Sequence, residues 1–183
     1  MNYINTPDLK KRKFNVGKKV FISQRATIIN PENLVIGNNV RIDDGVIIIC
    51  KKKMYIGSNV HIAPYAIIRS HQKLIIKNYV AISSFVDIFT SIDSSFQKNS
   101  FSHALLKNYK MKPFSKPIVI NSYSSIGSHS VILPGAHISA GTFIGALTLI
   151  NFKTENWGVY AGNPARLLLK KDSKKIKKLF LKK

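Results

Sequence analysis

The sequence has few of the residues on which several common protein classes depend. Its 183 residues include one cysteine, Cys50, which excludes a disulfide framework and any metal site built from several cysteines, and suits a reducing compartment. No apolar run approaches the ~20 residues that a membrane-spanning helix needs. The first twenty residues lack the apolar core of a signal peptide. We therefore expect a cytoplasmic protein.

Acidic residues are also scarce, since eight Asp and Glu stand against 29 Lys and Arg. Such a chain attracts phosphate-rich ligands, acidic polymers and anionic membrane surfaces. The basic residues concentrate in three stretches, 10–19, 51–53 and 170–183. The sequence has no RNP-like aromatic strand, zinc-finger spacing or helix-turn-helix pattern, so nucleic acid is not an expected partner.

A short motif of an aliphatic residue and a glycine recurs along the chain. Similar blocks begin twenty residues apart, at Val16, Ile36, Ile56 and Ile76, and each opens with two hexads. After an interruption the hexads resume with a strict six-residue spacing, at Ile120, Ile126, Ile132, Ile138 and Ile144. A large aliphatic residue at hexad position one and a small or branched one at position five can both point inward from a short strand.

This spacing predicts a parallel β-helix. A six-residue side is ~20 Å long, three sides close one coil, and stacked coils pair at the ~4.8 Å strand spacing around an aliphatic column. Steps of six do not follow the 3.6-residue period of an amphipathic helix. The repeat alone does not give the hand of the coil, although parallel crossovers are usually right-handed.

Two segments depart from the repeat. A polar stretch, 89–117, interrupts the coils, and long insertions of this kind in a compact domain are often functional. The second departure is a Gly-Asn-Pro-Ala-Arg turn that starts at Gly162, where glycine and proline redirect the chain. We predict a β-helix domain over 1–170 and a basic helix over 171–183. That helix has an apolar stripe and either caps the last coil or docks on the inner membrane surface.

The hexads and the exit turn resemble the hexapeptide-repeat acyltransferases over about residues 16–170. Members of that family fold as left-handed parallel β-helices, assemble as trimers and use acetyl-CoA. The resemblance therefore implies an all-β, left-handed β-helix, a homotrimer, and acetyl-CoA as co-substrate. The sequence has no metal-ligand spacing among its His, Cys and acidic residues, so we expect no metal.

The inserted segment resembles the loop of the galactoside and maltose acetyltransferases. His103 occupies the place of the family's general base, which takes a proton from the acceptor hydroxyl as it attacks the thioester. Asp93 is placed to orient His103 or to bind the acceptor. This resemblance implies O-acetylation of a sugar in bacterial surface polysaccharide, such as O-antigen or capsule.

The same segment also resembles the N-acetyltransferases of nucleotide-linked amino-deoxy sugars. In those enzymes an asparagine stands where this chain has His103, and a neutral amine needs less help from a base. N-acetylation is therefore the alternative function. A third hypothesis is a non-catalytic β-helix scaffold, related to carbonic-anhydrase-like proteins that have lost their metal. The exit turn and the intact loop favour an enzyme.

The family resemblance also implies where the ligands bind. Acceptor contacts are expected at His71 and Asp87, although Asp87 ends a hexad and also fits a plain surface position. The remaining histidines of the coils, His61, His129 and His137, are interpreted as solvated surface residues. The thioester arm of acetyl-CoA is expected to contact Ser125, Gly127, Gly145 and Ala146. Its phosphates are expected to contact Lys153, Arg166 and Lys170. Its adenine is expected to contact Trp157 or Pro164.

Overall fold

The computed structural model describes residues 2–11, 14–93, 113–174 and 176. Within these ranges the chain has an α-helix near its start, α1 (Thr6–Lys11), a 3-10 turn (Pro31–Asn33), a few helical residues after Asp172, and otherwise short strands joined by turns. The strands stack into three parallel sheets that form the sides of a prism, and all three sheets face one apolar core. The predicted fold, a left-handed parallel β-helix, is confirmed.

Successive coils contribute short strands to the three sheets, which form sides A, B and C of the prism. Side A contains, in spatial order, β1 (Tyr3–Ile4), β3 (Val20–Ser23), β6 (Val40–Ile42), β9 (Val60–Ile62), β12 (Ala81–Ile82), β17 (Ser125–Ile126), β20 (Phe143–Ile144), β22 (Gly158–Ala161) and β23 (Arg166–Lys170). Side B contains β2 (Asn15–Val16), β5 (Leu34–Ile36), β8 (Met54–Ile56), β11 (Leu74–Ile76), β16 (Ile118–Ile120) and β19 (His137–Ile138). Side C contains β4 (Thr27–Ile29), β7 (Ile47–Cys50), β10 (Ile67–Ser70), β13 (Asp87–Phe89), β18 (Val131–Ile132) and β21 (Leu149–Ile150).

The strand register follows the sequence repeat. Val20 pairs with Val40, and Val40 pairs with Val60, so each step along the sheet is one block of twenty residues. Beyond the insertion the step shortens to three hexads, as in the pairing of Ser125 with Phe143. The predicted coils of twenty residues, followed by coils of strict hexads, are confirmed.

The first position of each hexad supplies the core. The isoleucines at these positions are buried almost completely, and Ile62, Ile120 and Ile144 are 0% exposed. Burying an isoleucine side chain stabilises a fold by about 1.5–3 kcal/mol, so the column of isoleucines is the main apolar contribution to this one.

The inserted segment begins and ends in a small hairpin. β14 (Ser91–Ile92) pairs antiparallel with β15 (Phe114–Ser115), so the chain leaves the coil and returns at one place. The predicted boundaries, 89–117, enclose this hairpin. Residues 94–112, and His103 with them, lie outside the described part of the chain.

The two ends of the coil are closed by antiparallel strands. β1 pairs with β3 at the first coil, and β23 folds back on β22 at the last. The Gly-Asn-Pro-Ala-Arg turn therefore forms the tip of a hairpin. The sequence predicted an exit there and missed the returning strand. After it, Ser173, Lys174 and Ile176 are helical, and most of the predicted basic helix lies beyond the described residues.

No helix in the described ranges is long and apolar enough to cross a membrane.

Candidate active site

A candidate site lies at the corner between sides C and B, where the inserted segment leaves the coil. His71 follows β10 at this corner, and its backbone N–H donates to Oγ1 of Thr90 at 2.7 Å. The same oxygen accepts the N–H of Gln72 at 2.9 Å, and the carbonyl of Thr90 accepts the N–H of Lys116 at 3.0 Å. Thr90 is fully buried. One threonine therefore joins the loop that carries His71 to both ends of the insertion.

The His71 side chain has an unusual environment. Its Nδ1 atom is buried, and no described group within hydrogen-bonding distance satisfies it. Burial lowers the pKa of His71, and the nearby charges of Lys51 and Arg69 lower it further. The imidazole is therefore held neutral at neutral pH, and an unsatisfied buried nitrogen of this kind is suited to a ligand or to a neighbouring chain.

Asp93 lies at the start of the insertion, three residues after Thr90, and it is exposed. Between the hairpin strands and the next coil is a cavity of about 170 Å³, bordered by Ile92, Phe114 and Lys116 on one side and by Pro134 on the other. Asp93 and His71 thus lie at the same corner of the prism, on neighbouring coils. The predicted general base, His103, lies outside the described residues, so its role stays a prediction.

Asp87, the other predicted acceptor contact, lies one coil above Ile67 on side C. Burial raises the pKa of Asp87, while Arg69 and His129 act in the opposite direction. The carboxyl group is therefore half-buried among basic groups, which differs from a plain surface position.

The residues predicted for the thioester arm lie on side A and at its edge. A Cβ atom added at Gly127 would come within 2.5 Å of the backbone nitrogen of Ala146 and 2.7 Å of the carbonyl carbon of Gly145. One added at Gly145 would meet Ala161 at 3.1 Å. The close stacking of coils accounts for both glycines. Contact of Ser125 and these residues with acyl-CoA stays a prediction.

The basic residues predicted for the phosphates lie around the last coils. Lys170 forms an ion pair with Glu155, which holds it at the hairpin of β22 and β23. Arg166 is exposed on the returning strand, and Lys153 forms a bridge to β19 beside His137. Three cations therefore lie near the C-terminal end of the coil, and one of them already has an acidic partner.

The two residues predicted for the adenine end have structural roles as well. Trp157 covers Gly141, where an added Cβ would lie 2.3 Å from the indole ring, and the ring also stacks near Tyr123 at 6.5 Å. Pro164 lies in the turn between β22 and β23, two residues after Gly162, which has a φ of 95°.

A polar cluster on side A was not predicted from the sequence. The carboxylate of Asp43 is 3% exposed and accepts a hydrogen bond from the Tyr3 hydroxyl at 2.7 Å. It also lies 3.0 Å from Nε of Arg41 and 2.7 Å from Nε2 of His61. Burial works against ionisation of Asp43, but the bonds from His61 and Tyr3 outweigh it and lower its pKa. The interpretation of His61 as a solvated surface residue is incomplete.

The spacing contains a signal for this cluster. Arg41 and His61 are twenty residues apart, so the repeat places them side by side on neighbouring strands, as it places Val40 beside Val60. The other two coil histidines have simpler surroundings: His129 stacks on Phe85 at 4.8 Å and His137 contacts Asn121 at 2.9 Å.

No group of three or more His, Cys, Asp or Glu residues within the described ranges could hold a metal ion. Cys50 lies in the core, and burial raises the pKa of its thiol to about 12, so it is not a nucleophile at neutral pH.

Comparison with known proteins defines the family. No family model matches the chain. A dTDP-4-amino-4,6-dideoxy-D-glucose acyltransferase of Escherichia coli is 33% identical over 176 residues, which cover 95% of this chain and 91% of that protein. The chain belongs to the hexapeptide-repeat sugar acyltransferases. It is therefore an acyltransferase whose acceptor is a sugar.

Solved structures agree with this assignment. AntD, an N-acyltransferase from Bacillus cereus in complex with dTDP and 3-hydroxybutyryl-CoA, is 32% identical with a TM-score of 0.88 over 100% of this chain and 98% of that one. A maltose O-acetyltransferase from Clostridium difficile is 21% identical with a TM-score of 0.61, and covers 91% of this chain and 75% of its own. The second likeness extends to the fold alone.

Proposed function

We propose that this protein transfers an acyl group from acyl-CoA to the amino group of a nucleotide-linked amino-deoxy sugar, for use in bacterial surface polysaccharide. The observation that carries the proposal is the 33% identity, over nearly the whole chain, to an acyltransferase of dTDP-4-amino-4,6-dideoxy-D-glucose. AntD, similarly close, has been solved with dTDP-4-amino-4,6-dideoxyglucose and coenzyme A. N-acylation thus replaces the O-acetylation that the sequence favoured.

A pair of residues supports the same reaction. The solved AntD variants replace one serine and one aspartate that are ten positions apart. In this chain Ser83 and Asp93 have the same separation. Ser83 follows β12, and its backbone N–H donates to the carbonyl of Ile126 at 3.0 Å. The sequence predicted a role for Asp93 and none for Ser83.

The chemistry requires few protein groups. The neutral amine of the acceptor attacks the thioester carbonyl and forms a C–N bond, and the tetrahedral intermediate then expels the CoA thiolate as the C–S bond breaks. The nitrogen must lose one proton, which we assign to the exposed carboxylate of Asp93. A hydroxyl such as that of Ser83 is suited to donate a hydrogen bond to the developing oxyanion.

The C-terminal end of the coil is suited to bind acyl-CoA. CoA carries phosphates, and Lys153, Arg166 and Lys170 supply cations near the last coils. We retain Ser125, Gly127, Gly145 and Ala146 as the residues along the thioester arm. When bound, acyl-CoA supplies the activated carbonyl, and this chain's residues hold its phosphates and position its thioester.

The geometry of the prism favours a homotrimer. His71 lies at the corner between sides C and B, whereas Ser125 lies on side A, which is the face across the core from that corner. One chain therefore cannot bring both residues to one ligand. A neighbouring copy can supply the corner that carries His71 and Asp93 to the face that carries Ser83 and Ser125.

An assay with both acceptor classes tests the proposal. Purified protein is incubated with acetyl-CoA and either a dTDP-amino-deoxy sugar or a galactoside, and release of free CoA is followed. We expect turnover with the amino sugar only. The Asp93→Asn variant should lose about 10²–10⁴-fold in kcat, whereas Asp8→Asn, at an exposed acid of α1, serves as the matched control.

The His103→Ala variant separates the two functions. An N-acyltransferase should tolerate it within a few-fold, because a neutral amine needs little base assistance. A loss of about 10²-fold or more with a sugar hydroxyl as the acceptor would restore the O-acetylation hypothesis and contradict the proposal.

A further inference from the structure

A groove of about 600 Å³ runs along the outside of side A, among the first coils and away from the inserted segment. Three consecutive coils line it with the residues 39–41, 59–61 and 79–81, and Phe21 closes its lower end. None of the residues predicted from the sequence for acyl-CoA or for catalysis lines this groove.

The floor of the groove carries the side chains of Arg41 and His61, and a buried carboxylate orients both of them. Asp43 lies under Arg41 and His61 with its carboxylate 3% exposed, whereas the side chains of Arg41 and His61 are 53% and 40% exposed. Nε2 of His61 lies 2.7 Å from Oδ2 of Asp43 and 2.8 Å from Nη2 of Arg41, and only the carboxylate can accept a proton, because a guanidinium group has donors alone. The proton on Nε2 is therefore directed to Asp43, which fixes the ring.

This arrangement leaves donors for a ligand. A guanidinium group has five N–H donors, and the contacts of Arg41 with Asp43 and His61 use its Nε and Nη2 atoms. A planar, pre-oriented guanidinium is well suited to the oxygens of a phosphate, because its fork geometry matches them and little side-chain entropy is lost on binding.

One edge of the groove is lined by amide and aromatic side chains, in contrast to the arginine and histidine of its floor. The side chains of Asn39 and Asn59 form a ladder in which the Nδ2 atom of Asn39 donates to Oδ1 of Asn59 at 2.7 Å. Tyr79 continues the same corner on the next coil, with 49% of its surface exposed, and stacks on Tyr123 at 5.0 Å. Amide groups and an aromatic ring suit a planar heterocycle that has hydrogen-bonding edges.

The groove also points toward the expected acyl group. Registered pairs form one outer row on side A, in which Arg41, His61, Ala81 and Ser125 follow one another on successive strands. At ~4.8 Å per strand, Arg41 lies about 14 Å from Ser125. Ala81 and Ser125 are the small residues of the row, so the path between the two ends is open to a sugar-sized group.

We propose that this groove binds the nucleoside diphosphate of the acceptor, with Arg41 on the diphosphate, the His61 ring packed next to it, and the asparagine ladder and Tyr79 beside the base. The inference rests on the proposed function, since it identifies where a nucleotide-linked sugar is held. Asp43 is then a positioning residue that fixes the Arg41 guanidinium and the His61 ring at the floor of the groove. Its contact with Tyr3 also ties the first strand to the second coil.

The test measures dTDP binding by titration calorimetry. Arg41→Ala should weaken dTDP binding by about 10- to 100-fold, as expected for loss of a hydrogen bond to a charged group. His61→Gln should weaken it by a smaller factor, because it removes the ring packed between Arg41 and Asp43. Arg41→Lys should also weaken dTDP binding, because lysine lacks the planar fork of the guanidinium group. This variant keeps a positive charge beside Asp43, so a folding defect does not explain the loss. Coenzyme A affinity should stay at the wild-type value in all three.

Two controls separate the groove from its surroundings. Arg25→Ala breaks the other arginine–aspartate pair of these coils, with Asp44, and should leave dTDP affinity unchanged. Tyr3→Phe removes a bond to Asp43 without touching the groove, so it should lower stability and leave dTDP affinity close to that of the wild type.

The possible failures are distinguishable. If the wild-type protein binds dTDP and acylates an amino sugar, and Arg41→Lys and His61→Gln bind dTDP equally well, the groove is not the site and the proposed function stands. If the wild-type protein binds neither dTDP nor UDP and acylates no nucleotide-linked amino sugar, both the inference and the proposed function are wrong.

Discussion

The backbone N–H of His71 donates a hydrogen bond of 2.7 Å to the side-chain oxygen of Thr90, one coil above it. Because the same oxygen accepts a second N–H from Gln72 and donates to the carbonyl of Arg69 at 3.3 Å, Thr90 holds the corner that the proposed active site needs. This corner is where the inserted segment begins.

Replacement of Thr90 by valine keeps the shape and removes the oxygen. Two backbone donors then lose their partner at a fully buried position, which costs about 1–3 kcal/mol in the free energy of unfolding. We also expect a lower kcat, because the loop that carries His71 is no longer fixed. Thr27→Val, at an exposed position of β4, should change stability by less than about 0.5 kcal/mol. Equal effects in urea titrations of the two variants would contradict the role of Thr90.

His71 should make stability depend on pH. Burial and the charges of Lys51 and Arg69 lower its pKa in the folded state, so below about pH 6.5 the unfolded chain takes up a proton that the folded protein resists. This stabilising effect is complete above the unfolded pKa and is lost as the pH falls through the folded value. His137 has a pKa lowered in the same direction, by burial first and then by Lys153 and Lys77.

The His71→Gln variant should therefore lose less stability than the wild type between about pH 7.5 and pH 5.5. Some of the pH dependence remains, since His137 is still present. Urea unfolding followed by circular dichroism at the two pH values gives the comparison. An unchanged difference in the free energy of unfolding would show that His71 titrates alike in both states.

The close stacking of the coils requires glycine at position 127, independently of the contact with acyl-CoA proposed for it. A methyl group there would lie 2.5 Å from the backbone nitrogen of Ala146, so Gly127→Ala forces two coils apart and should destabilise the protein by about 1–3 kcal/mol. Gly145→Ala meets Ala161 at 3.1 Å and should cost less. Thermal denaturation shows which of the two variants has the lower melting temperature. A Gly145→Ala variant that is the less stable of the two would contradict this explanation.

The fold was predictable because its determinant is a pattern in the sequence. Ile36, Ile56 and Ile76 mark coils directly, since a parallel β-helix repeats its core contacts at the repeat of the sequence. The returning strand that starts at Arg166 was missed, because its three leucines are exposed on the antiparallel edge and do not follow the hexads. No repeat distinguishes such a strand from an exit segment.

The candidate site was less predictable for a related reason. Hexads define which residues point inward, and they say little about polar contacts between outward side chains. The contact between Asp43 and His61 joins residues eighteen positions apart, at different hexad positions, so only the assembled coils bring them together. Asp93 could be singled out because acidic residues are scarce around the insertion. Ser83 could not, since serines are common in the chain.

The homotrimer is a prediction with a direct measurement. If the corner of one chain completes the face of another, activity and assembly should be lost together on dilution. Sedimentation equilibrium at micromolar concentration should give three times the chain mass of 20.5 kDa. A monomer that remains fully active would contradict both the assembly and the placement of His71 opposite Ser125.

The basic tail provides the last prediction. Six of the eleven residues after Asp172 are lysines, more positive charge than the phosphates of one CoA require, so we expect a second anionic partner at the inner membrane surface. Basic residues near an anionic surface contribute ~1 kcal/mol each, and the attraction weakens with salt because the Debye length is ~8 Å at physiological ionic strength.

A chain that ends at Asp172 keeps the hairpin of β22 and β23 intact and removes only the tail. We expect the full-length protein to sediment with anionic liposomes and not with neutral ones, and the shortened chain to lose this binding. A variant with Lys51, Lys52 and Lys53 changed to glutamine controls for general loss of charge and should still bind. Equal recovery of the full-length and shortened chains from anionic liposomes would leave the tail with only its role as a cap on the last coil.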